Sequence, residues 1–406
     1  MNLCRGCSSE LSSMLIDLGE QPIANNLLNK PQMDQIEDHP LQVMICGKCG
    51  LVQLSESLSR EDLFTEEYVY YSSFSKSWLK HSRDYAESMI KLLSLHQNDL
   101  VIEVGSNDGY LLQYFLAHKI KVLGIEPSQG VAGAALRIGI PTIIEFFDLS
   151  IAKHLSKFQK PKLIIANNVL AHVPNLHSFI ESFSLLIAEE GLITFEFPHL
   201  LNLIKNNQFD TIYHEHYSYL SVSALIPIFN SFSLKIVNIE KLETHGGSLR
   251  VYVSKKSSKF IVSQIVNEII TEENMFDPRL KEVSESFRSR VLNLKQQTLM
   301  ELEDIKNKDL KIAAYSASAK GVTFLNFCGI STNLIEFVVD INPVKQEKYL
   351  PRSLIPVVSR EYLDKNIPDV LLILSWNLSD EIKKQLFPLV NKGLKLMRAI
   401  PRLEYF

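Results

Sequence analysis

The chain has 406 residues, 46% hydrophobic and 22% charged, a globular composition that excludes a largely disordered protein. Its formal net charge of −4 gives no general attraction to nucleic acid or anionic membrane, although local basic groups can still hold a small anion. No apolar stretch approaches the ~20 residues of a membrane helix. The opening MNLCRGC lacks the order of a secretory signal, so the expected compartment is the cytoplasm, where thiols stay reduced.

Three regions are predicted, 1–70, 71–258 and 259–406. The first is too small to hold itself by apolar burial alone. It carries Cys4-Arg-Gly-Cys7 and Cys46-Gly-Lys-Cys49. Two residues between thiolates let both sulfurs of a turn face one ion, and a second such turn completes the tetrahedron that zinc accepts. With four thiolates no place remains for a catalytic water, so the zinc is expected to be structural. Disulfides are the competing explanation, opposed by a reducing compartment; a redox pair is another, opposed by the lack of a βαβ pattern around it. The 38 residues between the pairs exceed ordinary ribbon spacing, so part of that loop must fold outward.

The second region alternates strands and helices. LVIEVG (100–105), KVLGIE (121–126), KLIIAN (162–167) and LITFEF (192–197) read as buried parallel strands of a doubly wound sheet. Glu103-Val-Gly105-Ser-Asn107-Asp-Gly109-Tyr110 joins the first strand to a helix. Its glycines are spaced G-x-x-x-G, not the G-x-G of a dinucleotide site, which argues against a nicotinamide dehydrogenase. An acid two residues before the first glycine makes the pattern similar to that of methyltransferases using S-adenosylmethionine (SAM). SAM has no phosphate; it carries a sulfonium and a zwitterionic amino acid, for which glycine backbone and carboxylates are suited. Glu126 ends the next strand, where an acid accepts from ribose hydroxyls. Phe146 in EFFD is placed to flank adenine, and Asn167 and Asn168 end the fourth strand facing the same cleft.

Tyr213-His214-Glu215-His216-Tyr217 is the least ordinary run. The two histidines lie two apart, so on a helix they would face different ways and share no metal. In a strand or turn they could share one, although no third ligand is obvious; a packed polar turn and an acid–base cluster are the other readings, and histidine and tyrosine both move protons. His172, after the fourth strand, reaches the same carboxyl edge of the sheet, where active sites of open α/β folds sit.

In the third region one or two long charged helices over about 261–306 are expected to bridge to a second α/β unit. Its strands are LKIAAYS (310–316), IEFVVD (335–340), DVLLILS (369–375) and LKLMRAI (394–400). Lys320, at a helix start after a strand, is a candidate for an anionic substrate group, with Lys345 and Tyr349. Arg250 is either a further substrate ligand or an ion-pair residue.

EVGSNDGYLL, NNVLAHVPN, FDTIYHEHYSYLS, HGGSLRVY, YSASAKGVTFLN and VDINPVKQEKYLP together resemble the sugar C-methyltransferases that act on nucleotide-linked 4-keto-6-deoxyhexoses. The resemblance covers nearly the whole chain. It implies a small zinc-binding N-terminal domain, a central Rossmann-like SAM domain and a C-terminal Rossmann-like α/β domain, with a nucleotide-diphosphate sugar held between the last two. Two departures stand out: the family has glycine where this chain has Ser316 and Arg352. Carbon methylation beside the C4 ketone, at C3 or C5, requires an enolate. His216 is the expected base, Glu215 its positioning partner, and Tyr213 and His172 the oxyanion donors, with Tyr70 reaching in from the N-terminal side. O- or N-methylation, and a zinc-ribbon binding module with an inactive methyltransferase fold, are the alternatives.

Overall fold

The computed structural model describes residues 3–29, 36–56, 58–59, 63 and 71–406; Tyr70 lies outside them. In chain order, β1 (Ser13–Pro22), β2 (Asp38–Ile45) and β3 (Val52–Leu54) form an antiparallel meander. One cysteine turn precedes β1 and the other joins β2 to β3, β2 running straight into it. β4 (Leu100–Val104), β5 (Lys121–Ile125), β6 (Thr142–Ile143), β7 (Leu163–Asn167) and β8 (Leu192–Pro198) pair in parallel. β7 and most of β8 are buried throughout, as a strand covered on both faces must be. The short β9 (Ser218–Tyr219) leaves this unit and pairs with β3, as the fourth strand of the N-terminal sheet. The hairpin β10 (Leu234–Leu242) and β11 (Ser248–Lys255) then returns to the central sheet, β11 lying antiparallel to β8.

The central order is β10-β11-β8-β7-β4-β5-β6. The chain reverses its direction of build between β4 and β7, so the crevice at their carboxyl ends is the natural ligand site. The C-terminal sheet follows with β12 (Ile312–Tyr315), β13 (Val338–Val339), β14 (Val357–Val358), β15 (Val370–Ile373), β16 (Lys395–Arg398) and β17 (Glu404–Tyr405). Its order is β14-β13-β12-β15-β16-β17, with only β17 antiparallel and a second crevice between β12 and β15.

The charged stretch forms two helices, Ile265–Asn274 and Lys281–Asn307. The second buries the apolar Phe287, Val291, Leu294, Leu302 and Ile305, which with Thr298 between the third and fourth recur at three- and four-residue spacings. These side chains belong to one apolar cluster that also takes in Leu15, Leu41 and Val43 of the N-terminal sheet and Val338 and Leu372 of the C-terminal one. The bridge is therefore a shared core element. Ser316 and Arg352, where the resembling family has glycine, both have left-handed backbone, with φ of 81° and 64°. Glycine adopts that conformation freely; a side chain adopts it at a cost. No helix among the described residues is long and apolar enough to cross a membrane.

Candidate active site

Three features converge on the carboxyl edge of the central sheet. The first is structural support from the cysteines. All four sulfurs lie within 4.8 Å of one another, with Cys4–Cys49 and Cys7–Cys46 each 3.5 Å apart. A tetrahedron with zinc–sulfur bonds of about 2.3 Å has edges of about 3.8 Å, so the four fit one zinc ion. The Gly6 and Cys49 amides donate to Cys4 and Cys46 sulfurs, as N–H groups beside thiolates do. From the same turn Arg5 donates to the Leu54 and Tyr217 carbonyls, and its guanidinium lies 5.6 Å from the Tyr217 ring. Arg5 and β9 thus tie the metal turn to the histidine-rich segment. A cavity of about 360 Å³ lies beside Cys7 and Cys49, but none of the SAM-motif or imidazole residues lines it.

The second feature is the glycine loop. Gly105 has φ +69°, and a Cβ there would come within 2.6 Å of Val169. The glycine is needed for backbone shape and packing against protein, in addition to any approach by a cofactor. Asn107, also left-handed, donates its N–H to Glu126 Oε2 at 3.0 Å and accepts from Ser72 N–H at 3.0 Å. Glu126 Oε1 accepts from Ser128 N–H at 2.9 Å. Burial raises the carboxyl of Glu103 well above its ordinary range; the Tyr110 hydroxyl opposes this, and Asp108 and Glu126 add to it. Burial likewise raises Glu126. Ser106 Oγ, Asp108 Oδ1, Ser128 Oγ, Asn167 Oδ1 and Asn168 Oδ1 are buried here without hydrogen-bond partners. Mutually repelling carboxylates beside unfilled acceptors suit a cationic ligand with an ammonium and hydroxyls, which SAM is. Phe146 follows β6 half-buried, while its neighbour Phe147 packs into the core against Phe179 and Phe183.

The third feature is the imidazole cluster. His216 Nδ1 lies 2.8 Å from the Thr211 carbonyl, which can only accept, so Nδ1 carries the proton and Nε2 the lone pair. Nε2 is 2.9 Å from the Tyr213 hydroxyl, which therefore donates to it. Burial, with His172 nearby, holds His216 well below the ordinary imidazole range, so it is neutral. His172 packs edge-on at 4.7 Å between ring centres, and its Nδ1–H is pinned at 2.8 Å to the Glu215 carbonyl. Burial pushes His172 down to about 4, and its neutral Nε2 can only accept. That differs from the oxyanion-donor role expected for it.

Glu215 also differs from expectation. Its carboxylate points away from His216 and accepts from Asn25 Nδ2 at 2.7 and 2.9 Å. Burial raises it to about 7, against Asn25 and the more distant charge of Lys345. It is the Thr211 carbonyl that orients the His216 ring. His214 is buried beside His39, with ring centres 5.8 Å apart, away from the pair.

Of the expected anion ligands, Lys320 alone reaches this cluster. Its nitrogen is 4.8 Å from the Trp376 ring centre and donates to Asn377 Oδ1, and its charge is felt by His216 and His245. Lys345 donates to the Ala317 carbonyl at 2.8 Å, beside Asp340. Tyr349 pairs its main chain with Leu28, 2.9 Å in both directions. Arg250 proves to be an ion-pair residue. It bonds Glu196 at 2.9 Å and Glu240 at 2.8 Å, contacts His81, and lies 4.4 Å over the Tyr85 ring.

Four site residues escaped the sequence: Asn25, Asp210, His245 and Trp376. Asp210 accepts from the Trp376 indole N–H at 2.7 Å, and burial raises it to about 7. His245 sits with φ +53° in the HGG turn, edge-on to Trp78, and burial lowers it to about 4. Next to it, a Cβ on Gly246 would run into the Trp376 ring. The HGGSLR and FDTIYHEH motifs were the available signals for His245 and Asp210; Asn25 and Trp376 are brought in by tertiary contacts.

Family models match in succession: "Putative zinc binding domain" over residues 4–64, "Methyltransferase domain" over 78–239 and "C-methyltransferase C-terminal domain" over 243–401. The C-methyltransferase NovU of Streptomyces niveus is 31% identical over 400 residues, 98% of this chain and 95% of that protein. Among solved structures, magnesium protoporphyrin IX methyltransferase from Synechocystis with bound SAM is 14% identical. It covers 48% of this chain and 88% of its own, with a TM-score of 0.33. A Burkholderia thailandensis 1,6-didemethyltoxoflavin-N1-methyltransferase is also 14% identical, covering 50% and 94%, with a TM-score of 0.36.

Proposed function

The chain belongs to the sugar C-methyltransferase family, and from that premise we propose that it methylates C3 or C5, beside the ketone of a nucleotide-linked 4-keto-6-deoxy sugar, through an enolate. It is a SAM-dependent methyltransferase with a structural zinc. Bound SAM supplies a methyl group already activated by positive sulfur. Glu103, Glu126 and the 105–110 loop would hold it, with Asn167 and Asn168 at the crevice and Phe146 beside the adenine. The three units are taken as 1–70, 71–258 and 259–406, with the sugar nucleotide between the last two and Lys345 and Tyr349 on its C-terminal side. The working compartment is the cytoplasm.

His216 is the base. Its proton-bearing nitrogen is fixed by Thr211, so the lone pair on Nε2 faces the Tyr213 hydroxyl. That fixed tautomer is the observation that carries the mechanism. Substrate entry redirects the Tyr213 hydroxyl from Nε2 to the ketone oxygen, freeing the lone pair for the carbon-bound proton. A neutral imidazole can accept at neutral pH without first losing a proton. His172 aligns a substrate hydroxyl through its acceptor nitrogen.

The test is incubation of zinc-loaded protein with labelled SAM and dTDP-, GDP- and CDP-linked 4-keto-6-deoxy sugars carrying deuterium at C3 or C5. Methyl transfer to carbon with loss of that deuterium is expected. His216→Asn should retain SAM affinity and lose turnover by about 10²–10⁴-fold. Methyl on oxygen or nitrogen with deuterium retained would refute the enolate route.

A further inference from the structure

We propose that Lys320 is a catalytic residue whose ammonium takes up the negative charge developing on the substrate's ketone oxygen. This rests on the enolate route above. Lys320 lies in the first turn of the helix Ala319–Cys328, at the crevice between β12 and β15. From there its charge acts on His216 and His245 of the central unit. Two contacts hold the ammonium: Asn377 Oδ1 accepts from it, and the Trp376 ring faces it at 4.8 Å. The same indole donates to Asp210 at 2.7 Å. Asp210 adjoins Thr211, whose carbonyl fixes His216. The Trp376 ring also lies close against Gly246, next to His245. One tryptophan therefore sets the cation and the base in a single frame.

The charge balance of this frame is incomplete. Among the described residues Lys320 forms no salt bridge. Burial holds the ammonium below its ordinary value; Asp210 opposes this from a distance, and its own carboxyl is raised to about 7 by burial. The surrounding imidazoles are neutral. An ammonium withdrawn from bulk water without a close anion is costly unless a ligand completes it. A ketone oxygen does so only as it becomes an enolate oxygen, so the interaction strengthens toward the transition state. A diphosphate would call for several cations or N–H groups at an exposed edge, whereas this lysine meets an indole and an amide oxygen, with imidazoles within reach of its charge.

In the step, His216 Nε2 takes the proton from carbon. The C–H pair becomes the carbon–carbon double bond, and the carbonyl pair moves onto the oxygen facing Lys320. The pairs then return: carbon bonds to the methyl group as the methyl–sulfur bond breaks, leaving its pair on sulfur. The proton leaves His216 for solvent.

Lys320→Met and Lys320→Arg separate the roles, with near-ultraviolet circular dichroism and S-adenosylhomocysteine affinity as controls for folding. Turnover, KM, free nucleoside-diphosphate affinity and exchange of the C3 or C5 proton with solvent, in the presence of S-adenosylhomocysteine, are measured together. Lys320→Met should lose about 10²–10³-fold in both kcat and exchange, with KM and nucleoside-diphosphate affinity unchanged. Lys320→Arg, which keeps the charge, should recover part of both; if Lys320→Met does not fold, the arginine variant carries the test, its kcat and exchange falling while KM holds. Normal kcat and exchange, with KM raised in proportion to weaker nucleoside-diphosphate binding, would assign the lysine to the diphosphate and overturn the proposal. A wild-type protein that exchanges no proton with any keto sugar would instead remove the enolate route itself, and the role of Lys320 with it.

Discussion

Glu215→Gln should change how stability depends on pH, in a direction set by where the carboxylate sits. The side chain is 3% exposed, and Asn25 Nδ2 is its hydrogen-bond donor. Burial raises it to about 7 from a reference of 4.5. Between these values the folded protein holds a proton that the unfolded chain has released, so stability falls as pH rises through this window and levels off above it. The cost of Glu215 grows from about 1 kcal/mol at about pH 5.5 to about 3 kcal/mol at about pH 8.5. Glutamine has the same shape, still offers one oxygen to Asn25, and does not titrate. The difference in urea midpoint between variant and wild type, measured on zinc-loaded protein, should therefore move in favour of the variant by about 2 kcal/mol across that range. Taking the difference cancels the other titrating groups. Parallel pH profiles for the two proteins would refute the placement of this carboxylate in a site poor in cations.

Tyr213→Phe removes the hydroxyl that donates to His216 Nε2; SAM affinity should hold while kcat drops by about 10² or more, and an unchanged kcat would exclude Tyr213 from proton handling. Mass spectrometry under native conditions should find one zinc per chain, and Cys46→Ser or chelation should abolish both the ion and methyl transfer, since structural zinc binding is worth about 10 kcal/mol or more; a metal-free protein with an unaltered melting curve would contradict this. Because burial raises Glu103 and Glu126 and a cationic ligand favours their ionised forms, SAM binding should release protons and tighten as pH rises. Calorimetry in buffers of different ionisation enthalpy checks it, and affinity that weakens with pH would count against those carboxylates.

Local chemistry made much of this legible. β4, β5, β7 and β8 fall within a residue or two of their expected places, because strands buried on both faces leave an unbroken apolar run. The cysteine turns were equally plain, since two residues of spacing and four thiols leave few alternatives. The expected strand 335–340 shrinks to Val338–Val339, its apolar residues serving packing around a loop. What stayed hidden is non-local. Asn25 meets Glu215 across 190 positions and Trp376 meets Asp210 across 166, and no periodicity encodes such contacts. The direction of Glu215 was equally unreadable, because neighbours in a turn point different ways. Ser316 and Arg352 show the converse: the departures from glycine were visible, but the left-handed backbone that gives them meaning was not.

The strand Ser218–Tyr219 is borrowed from the unit that holds the imidazoles to complete the sheet of the unit that holds the cysteines. Exchange of modules between relatives must respect that loan. A chimera joined at residue 70 would set a foreign β3 against the native 218–219 edge and foreign arginine contacts against Tyr217. Successful recombinants should be those that carry the 213–219 segment along with the donor's first module, making two distant stretches of the gene one evolutionary cassette.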